Sequence, residues 1–197
     1  MNAKQIFDLL ALQFGDAGLQ YSPQEEEGGD PFITVPPEFL VEVARFVKDD
    51  PRLDFKMCHC ISGVDYGDRL TSVIHLYSLN HRHKLVLKTS CPTEKPEIPS
   101  VSHVWKAANW LERETFDMVG IVYLGHPNLR RILLSEDWEG HPLRKDYPMP
   151  DDSLFPWENE ETPSRVAEPV PVARPTAPGA EGGELKRPAP AEGSKEG

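Results

Sequence analysis

Apolar positions in the first third of the chain recur at helical spacing. Ile6, Leu9, Leu10 and Phe14 predict a first amphipathic helix, stopped by Gly15 and Gly18. A polar loop with an acidic tip follows over residues 20–31. Phe39, Leu40, Val43, Phe46 and Val47 predict a second helix, with Pro37 in its first turn and Asp49-Asp50-Pro51 at its end. The period then changes to two. Residues 53–61 read as a strand with Phe55, Met57, His59 and Ile61 on one face. Residues 70–79 and 83–89 read as two more strands, an antiparallel hairpin joined by the tight polar link 80–82. A third helix opens near Ser100 or Ser102 and carries Trp105, Ala108, Leu111 and Phe116 on one side. Ile121 to Leu124 form a short strand, and the rest is loop. The order predicts an α+β domain, a small mostly antiparallel sheet with two to three helices on one face, followed by an extended C-terminal segment.

Composition sets the limits of that domain. No Phe, Trp or Tyr occurs after Trp157, and eight of the 20 prolines fall in residues 151–197. Such a segment buries too little apolar surface to offset its ordering entropy. The folded unit is therefore expected over residues 1–155, and residues 156–197 should order only as an extended strip along a partner. The net charge is -11, and from residue 151 onward acids outnumber bases ten to five. No basic block is evident, which argues against nucleic acid as a partner. An odd set of three cysteines suggests a reducing compartment. The N-terminus does not read as a signal peptide, and no apolar run approaches the ~18 residues of a membrane span.

Residues 109–148 break both periods, packing charges, aromatics and two Gly-His-Pro triplets into forty positions. Trp110, Phe116 and Met118 make this stretch too apolar for an ordinary solvated helix face carrying Glu112, Arg113, Glu114 and Asp117. His126 and His141 follow glycine and precede proline, so each triplet is a rigid bend. The bends present Arg130-Arg131 and Arg144-Lys145, interleaved with Glu136, Asp137, Trp138, Glu139 and Asp146. Balanced charge favours a protein interface over phosphate binding. A stand-alone hydrolase using His126 or His141 with Glu112 or Glu114 is the competing reading. Cys58, His59 and Cys60 resemble metal ligands, but a regular strand sets the cysteines on one face and the histidine on the other. No nucleotide, flavin or cluster motif occurs.

At these residues the chain resembles the C-subunit of NADH:quinone oxidoreductase, the thirty-kilodalton subunit family of respiratory complex I. The family signature is met by Glu112-Arg113-Glu114, Asp117, Met118-Val119, His126, Arg130 and Ile132-Leu133. The likeness continues through SEDWEGHPLRKDYP to Pro148 and covers about half the chain, departing at Val119, where many members carry an aromatic. The resemblance implies a non-catalytic subunit of the hydrophilic arm, peripheral on the cytoplasmic side of the inner membrane. It implies no cofactor in this chain, with flavin mononucleotide and iron–sulfur clusters held by neighbouring subunits. The implied partners are the quinone-site D-subunit and the terminal-cluster B-subunit. The charged-aromatic residues from Trp110 to Asp146 would then form the docking surface. A related membrane-bound hydrogenase or ferredoxin- or F420-linked complex could use the same module.

Overall fold

The structure, a computed structural model, describes residues 1–15, 17–23 and 29–148. The first helix, α1 (Ala3–Phe14), is fixed at its start by a reciprocal cap. Asn2 Oδ1 accepts from the Gln5 N–H at 2.9 Å, and the Asn2 N–H donates to Gln5 Oε1. Gly15 ends it with φ near 55°. Two strands too short to carry a readable period, β1 (Gln20–Ser22) and β2 (Phe32–Thr34), flank the acidic loop. A single 3-10 turn, Pro37–Phe39, leads into α2 (Leu40–Asp49), which buries Leu40, Val43, Ala44 and Val47.

Three long strands follow: β3 (Met57–Asp65), β4 (Arg69–Ser78) and β5 (His83–Pro92). Their pairs are antiparallel, and Ser78 lies opposite His83 across the hairpin read from the sequence. The five strands run in the order β1-β2-β5-β4-β3, with β2 and β5 parallel. A second, two-stranded parallel sheet joins β6 (Glu97–Pro99) to β7 (Val122–Leu124). Between them lies α3 (Ala108–Val119).

One face of the five-stranded sheet carries the core. Leu70, Ile74 and Leu76 of β4 and Leu85 and Leu87 of β5 pack there with Ile6, Leu10, Val43, Val47, Ile121 and Tyr123. All three helices lie on this side, as the apolar periodicity predicted. The C-terminal segment expected to be extended lies outside the described residues.

Several boundaries differ from the sequence reading: β3 runs Met57–Asp65 where 53–61 was expected, β5 continues to Pro92, and β1 lies inside the loop expected over 20–31. Two further differences have a plain physical reason. In β3 the register slips between Cys58 and Cys60, so His59 is an extra, bulged residue. Cys58 and Ile61 therefore point into the core, Cys60 faces the opposite side, and Met57 and His59 are exposed. The two cysteines do not share a face as a regular strand would require. The third helix starts at Ala108, not at Ser100 or Ser102. Both serine hydroxyls are engaged in a buried network, and Ser100 N–H is bound to Leu124 O, so residues 101–107 form turns. Trp105 stands in those turns, its indole N–H donating to Phe55 O at 2.9 Å.

Gly63 sets how closely α3 approaches the sheet. A Cβ there would lie 2.6 Å from Thr115 Cγ2 and 3.0 Å from Val119 Cγ2. Thr115 cannot swing aside freely, because its hydroxyl is held to Leu111 O and Ile61 O. We expect Gly63→Ala to destabilise the chain by about 1–3 kcal/mol in chemical denaturation. An unchanged midpoint would show that the helix can back away without cost.

Candidate functional site

The stripe of α3 facing the sheet is Ala108, Glu112, Thr115 and Val119, with Arg113 and Asp117 also buried. Leu111 and Phe116, expected on the core side, are half-buried. A carboxylate therefore sits where the pattern predicted an apolar residue, and its surroundings explain how. Glu112 Oε2 accepts from Ser100 Oγ at 2.6 Å, and Oε1 accepts from the Val101 N–H at 2.7 Å. His126 Nε2 stands 4.0 Å away, and both side chains are closed off from solvent. The His126 ring is held from both ends. Nδ1 accepts from the Asn128 N–H and Nε2 donates to Asn109 O, each at 3.0 Å, which fixes the tautomer with the proton on Nε2. Burial pushes the Glu112 pKa up to about 7, against the opposing pull of Ser100 and Val101.

Asp117, one turn further, organises the segment after β7. Its Oδ2 accepts three consecutive backbone N–H groups, Ile132, Leu133 and Leu134, at 3.0, 2.8 and 2.9 Å. Its Oδ1 accepts from Arg131 Nη1 at 2.7 Å. Desolvation alone would raise this carboxyl, yet the N–H groups of Leu134, Ile132 and Leu133 and the Arg131 guanidinium outweigh it and bring the pKa to about 2. Arg131 also donates to Trp138 O and Gly140 O, tying the next loop to the same point. Arg113 and Asp117, helical neighbours in sequence, do not pair with each other. Arg113 instead donates to the carbonyls of Arg130 and Arg131, and its guanidinium lies 5.0 Å over the Trp110 ring.

The C-terminal carbonyls of α3 are capped by the second Gly-His-Pro bend. Asp117 O accepts from His141 Nδ1, Met118 O from the Leu143 N–H, and Val119 O from Arg144 Nε. These are orphan acceptors of the helix end, and the Arg144 charge suits the negative pole of the helix dipole. Gly120 is required twice over. Its φ of 81° is left-handed, and a Cβ would lie 2.5 Å from His141 Cδ2. At the far end the Lys145 N–H donates to Asp65 Oδ2, fastening the loop to β3.

The residues singled out by the sequence thus fall into two groups. Glu112, Arg113, Asp117, His126, Arg131, His141 and Arg144 turn inward and build a clamp around α3. Trp110, Glu114, Arg130, Trp138, Lys145 and Asp146 remain exposed on it. Ser100, Asn109, Gly120 and Asn128 were not singled out. Gly120 was the most legible of these, a glycine between an apolar helix end and a strand. Cys58 is buried, and desolvation, with Glu112 and Cys60 nearby, pushes its thiol up to about 12, which disfavours the thiolate a metal needs. Among the described residues, no group of three or more His, Cys, Asp or Glu side chains gathers at metal-binding spacing.

The two carboxylates should titrate with opposite signs. Asp117 has a lowered folded-state pKa, so its contribution is present above about pH 4 and is lost as the pH falls toward 2. The shift from 3.8 amounts to about 2–3 kcal/mol. Asp117→Asn should cost at least that much at neutral pH and flatten the acid limb of the stability curve. Glu112 has a raised folded-state pKa, so its contribution is present below about pH 4.5 and is lost as the pH rises through about 7. Glu112→Gln, which mimics the protonated acid, should match the parent near pH 5 and exceed its stability at pH 8. Denaturation across this range checks both, and parallel curves for parent and variants would contradict them.

Comparison with known proteins bears on this arrangement. Residues 33–153 match the family model described as respiratory-chain NADH dehydrogenase, 30 Kd subunit. The NADH-quinone oxidoreductase C-subunit of Roseiflexus castenholzii is 50% identical over 124 residues, covering 61% of this chain and 71% of the relative. Its counterpart from Chloroherpeton thalassium is 44% identical over 147 residues, covering 73% of this chain and 60% of the relative. Among solved structures, a trypsin-resistant fragment of Nqo5 superposes with a TM-score of 0.55 and 26% identity, covering 66% of this chain and 100% of the fragment. A chain of an archaeal membrane-bound sulfane sulfur reductase, a respiratory membrane complex, shares the fold at a TM-score of 0.61 and 22% identity, covering 74% of this chain and 86% of its own. With the match running through β2, the sheet, α3 and its clamp, the chain belongs to the 30 kDa subunit family of respiratory-chain NADH dehydrogenase, the NADH-quinone oxidoreductase.

Proposed function

We propose that this chain is a non-catalytic structural subunit in the hydrophilic arm of a proton-translocating NADH:quinone oxidoreductase. In this reading it sits peripherally on the cytoplasmic side of the membrane. Its clamp docks on the quinone-site subunit, near the neighbour that holds the terminal iron–sulfur cluster. Flavin mononucleotide and the clusters belong to neighbouring subunits, and this chain binds neither. The observation that carries the reading is the outside of the clamp. Trp110 is 61% exposed, Leu133 and Leu143 62% and Trp138 43%, among the charges of Glu114, Arg130, Lys145 and Asp146. Large apolar side chains held rigidly in water by a network whose polar groups turn inward fit a protein interface.

The hydrolase alternative draws little support. Glu112 and His126 approach each other, but both are sealed from solvent and their hydrogen-bonding atoms are occupied. Glu114 is exposed and His141 caps a helix. The fold shared with the sulfane sulfur reductase chain allows the same module in a related complex, but identities of 44–50% to NADH-quinone oxidoreductase subunits favour the first reading.

Substitutions should separate docking from folding. Trp138→Ala should lower the amount of intact complex while leaving the melting of the isolated chain and the turnover per assembled complex unchanged. Trp110→Ala should do the same apart from a loss of about 0.5–1 kcal/mol from its contact with Arg113. Arg131→Ala should destabilise the platform itself by about 1.5–3 kcal/mol, the cost of removing one charged donor of the four that hold Asp117. Native gels, calorimetry and quinone reduction per complex provide the three readouts. Normal assembly with abolished quinone reduction would assign the aromatic residues to catalysis instead.

A further inference from the structure

The face of the sheet away from the helices is uncovered among the described residues, and it is not chemically neutral. Two adjoining clefts of about 510 Å³ each lie along it, sharing Asp30, His75 and Val86. The first continues past Met57 and Leu79 into a third cleft of about 490 Å³ beside α2 and the turns before α3. The floor is apolar, with Val86 buried and Tyr77 half-buried, while Met57 is 40% and Leu79 63% exposed.

The rim is rich in lysine and histidine. Lys84 and Lys88 stand on β5, His59 and His75 on β3 and β4, and Lys56 and Lys106 on the third cleft. Lys56 is paired with Asp54. Among the described residues, no carboxylate lies within salt-bridge distance of Lys84, Lys88 or Lys106. Lys88 instead places its ammonium 3.5 Å from the centroid of Phe32. Desolvation first, then the neighbouring His59, Lys88 and Lys84, lower the His75 pKa against the single opposing charge of Asp30. In a chain of net charge -11, this gathering of lysines without a carboxylate partner among the described residues, on one apolar groove, is a segregation of charge.

We propose that this groove is a second docking surface, taking an acidic extended segment of a neighbouring subunit that lays one or two apolar side chains on the Met57–Tyr77–Val86 floor. The proposal rests on the chain being part of a multisubunit complex, but its first two clefts lie on the opposite face of the sheet from the clamp. Three features select this occupant. The clefts run in series and suit an extended chain better than a globular face. The ammonium groups of Lys84, Lys88 and Lys106, without a carboxylate partner among the described residues, suit carboxylates spaced along that chain. The hydrophobic floor supplies contact energy that a purely ionic partner would not use. An anionic lipid surface is disfavoured because the lysines line clefts with an apolar floor.

The test uses the assembled complex purified through a tag on the full chain. Carbodiimide coupling, which joins amines to carboxylates at zero length, is followed by mass spectrometry. Lysine acetylation rates are compared in the free chain and in the complex. The expected result is Lys84, Lys88 or Lys106 joined to Asp or Glu of another subunit, with acetylation of these lysines slowed at least about tenfold, as for a desolvated ion pair. The variant Lys84→Glu/Lys106→Glu alters two exposed positions. It should melt like the parent yet associate at least about tenfold more weakly at low ionic strength, the gap narrowing with added salt.

Several outcomes would overturn the proposal. Lysines that acetylate equally fast in both states would do so, as would coupling only to acids of this chain, such as Glu25 to Glu27. Protection lost on delipidation would assign the face to lipid. A tagged chain that brings down no neighbours would defeat the reading of it as part of a complex, and this proposal with it. Neighbours recovered with freely labelled lysines would defeat this proposal alone.

Discussion

The Asp117 carboxylate holds the functional half of this molecule together. It sits fully buried on a helix, an unfavourable place for a charge, and the surrounding chain compensates it with four donors. Three of these are successive backbone N–H groups, so the carboxylate dictates the path of residues 131–134 as well as stabilising it. Arg131 then reaches on to Trp138 O and Gly140 O, and the loop that follows returns to cap the same helix. A stretch of about twenty residues with almost no regular secondary structure thereby acquires a fixed shape. Its order derives from α3.

Two acids on one helix, less than two turns apart, show how environment decides role. Glu112 and Asp117 are both inaccessible to solvent. Glu112 has two donors and an apolar surround, and burial dominates. Asp117 has four donors, one of them a guanidinium, and the charged form dominates. His126 is held in a similar way by its surroundings, with both ring nitrogens bound to backbone groups. An imidazole bound at both nitrogens to the backbone fixes the path of the loop around it.

Much of this was legible in the sequence. The helices α1 and α2 and the β4–β5 hairpin carry clean periodicity, because each has one face on the core and one in water. The α+β class followed from the pattern, and the Glu-Arg-Glu signature marked the segment, which was read as a docking surface, not as the clamp that half of its residues build. What escaped was set by long-range partners. The bulge at His59 reversed the faces of β3 by inserting one residue, which no local period reports. β1 and β2 contribute three residues each, too few to alternate visibly. The start of α3 was misplaced because Ser100 and Ser102 have the side chains of helix caps but direct them to Glu112 and to each other. The lysine-lined groove was hidden for the same reason, its lysines being scattered singly in sequence and gathered only by the sheet.

The three consecutive N–H groups on Asp117 have a consequence for how this region tolerates change. Surface loops ordinarily accept insertions and deletions, since few of their backbone groups are specifically bound. Here the amides of Ile132, Leu133 and Leu134 are counted off against one oxygen, while the Arg131 side chain meets the other. One residue added between Gly125 and Arg131 would leave that count intact. One residue added between Arg131 and Leu134 would move a wrong amide onto the carboxylate and carry every later contact with it. In the language of sheets, this coil has a register.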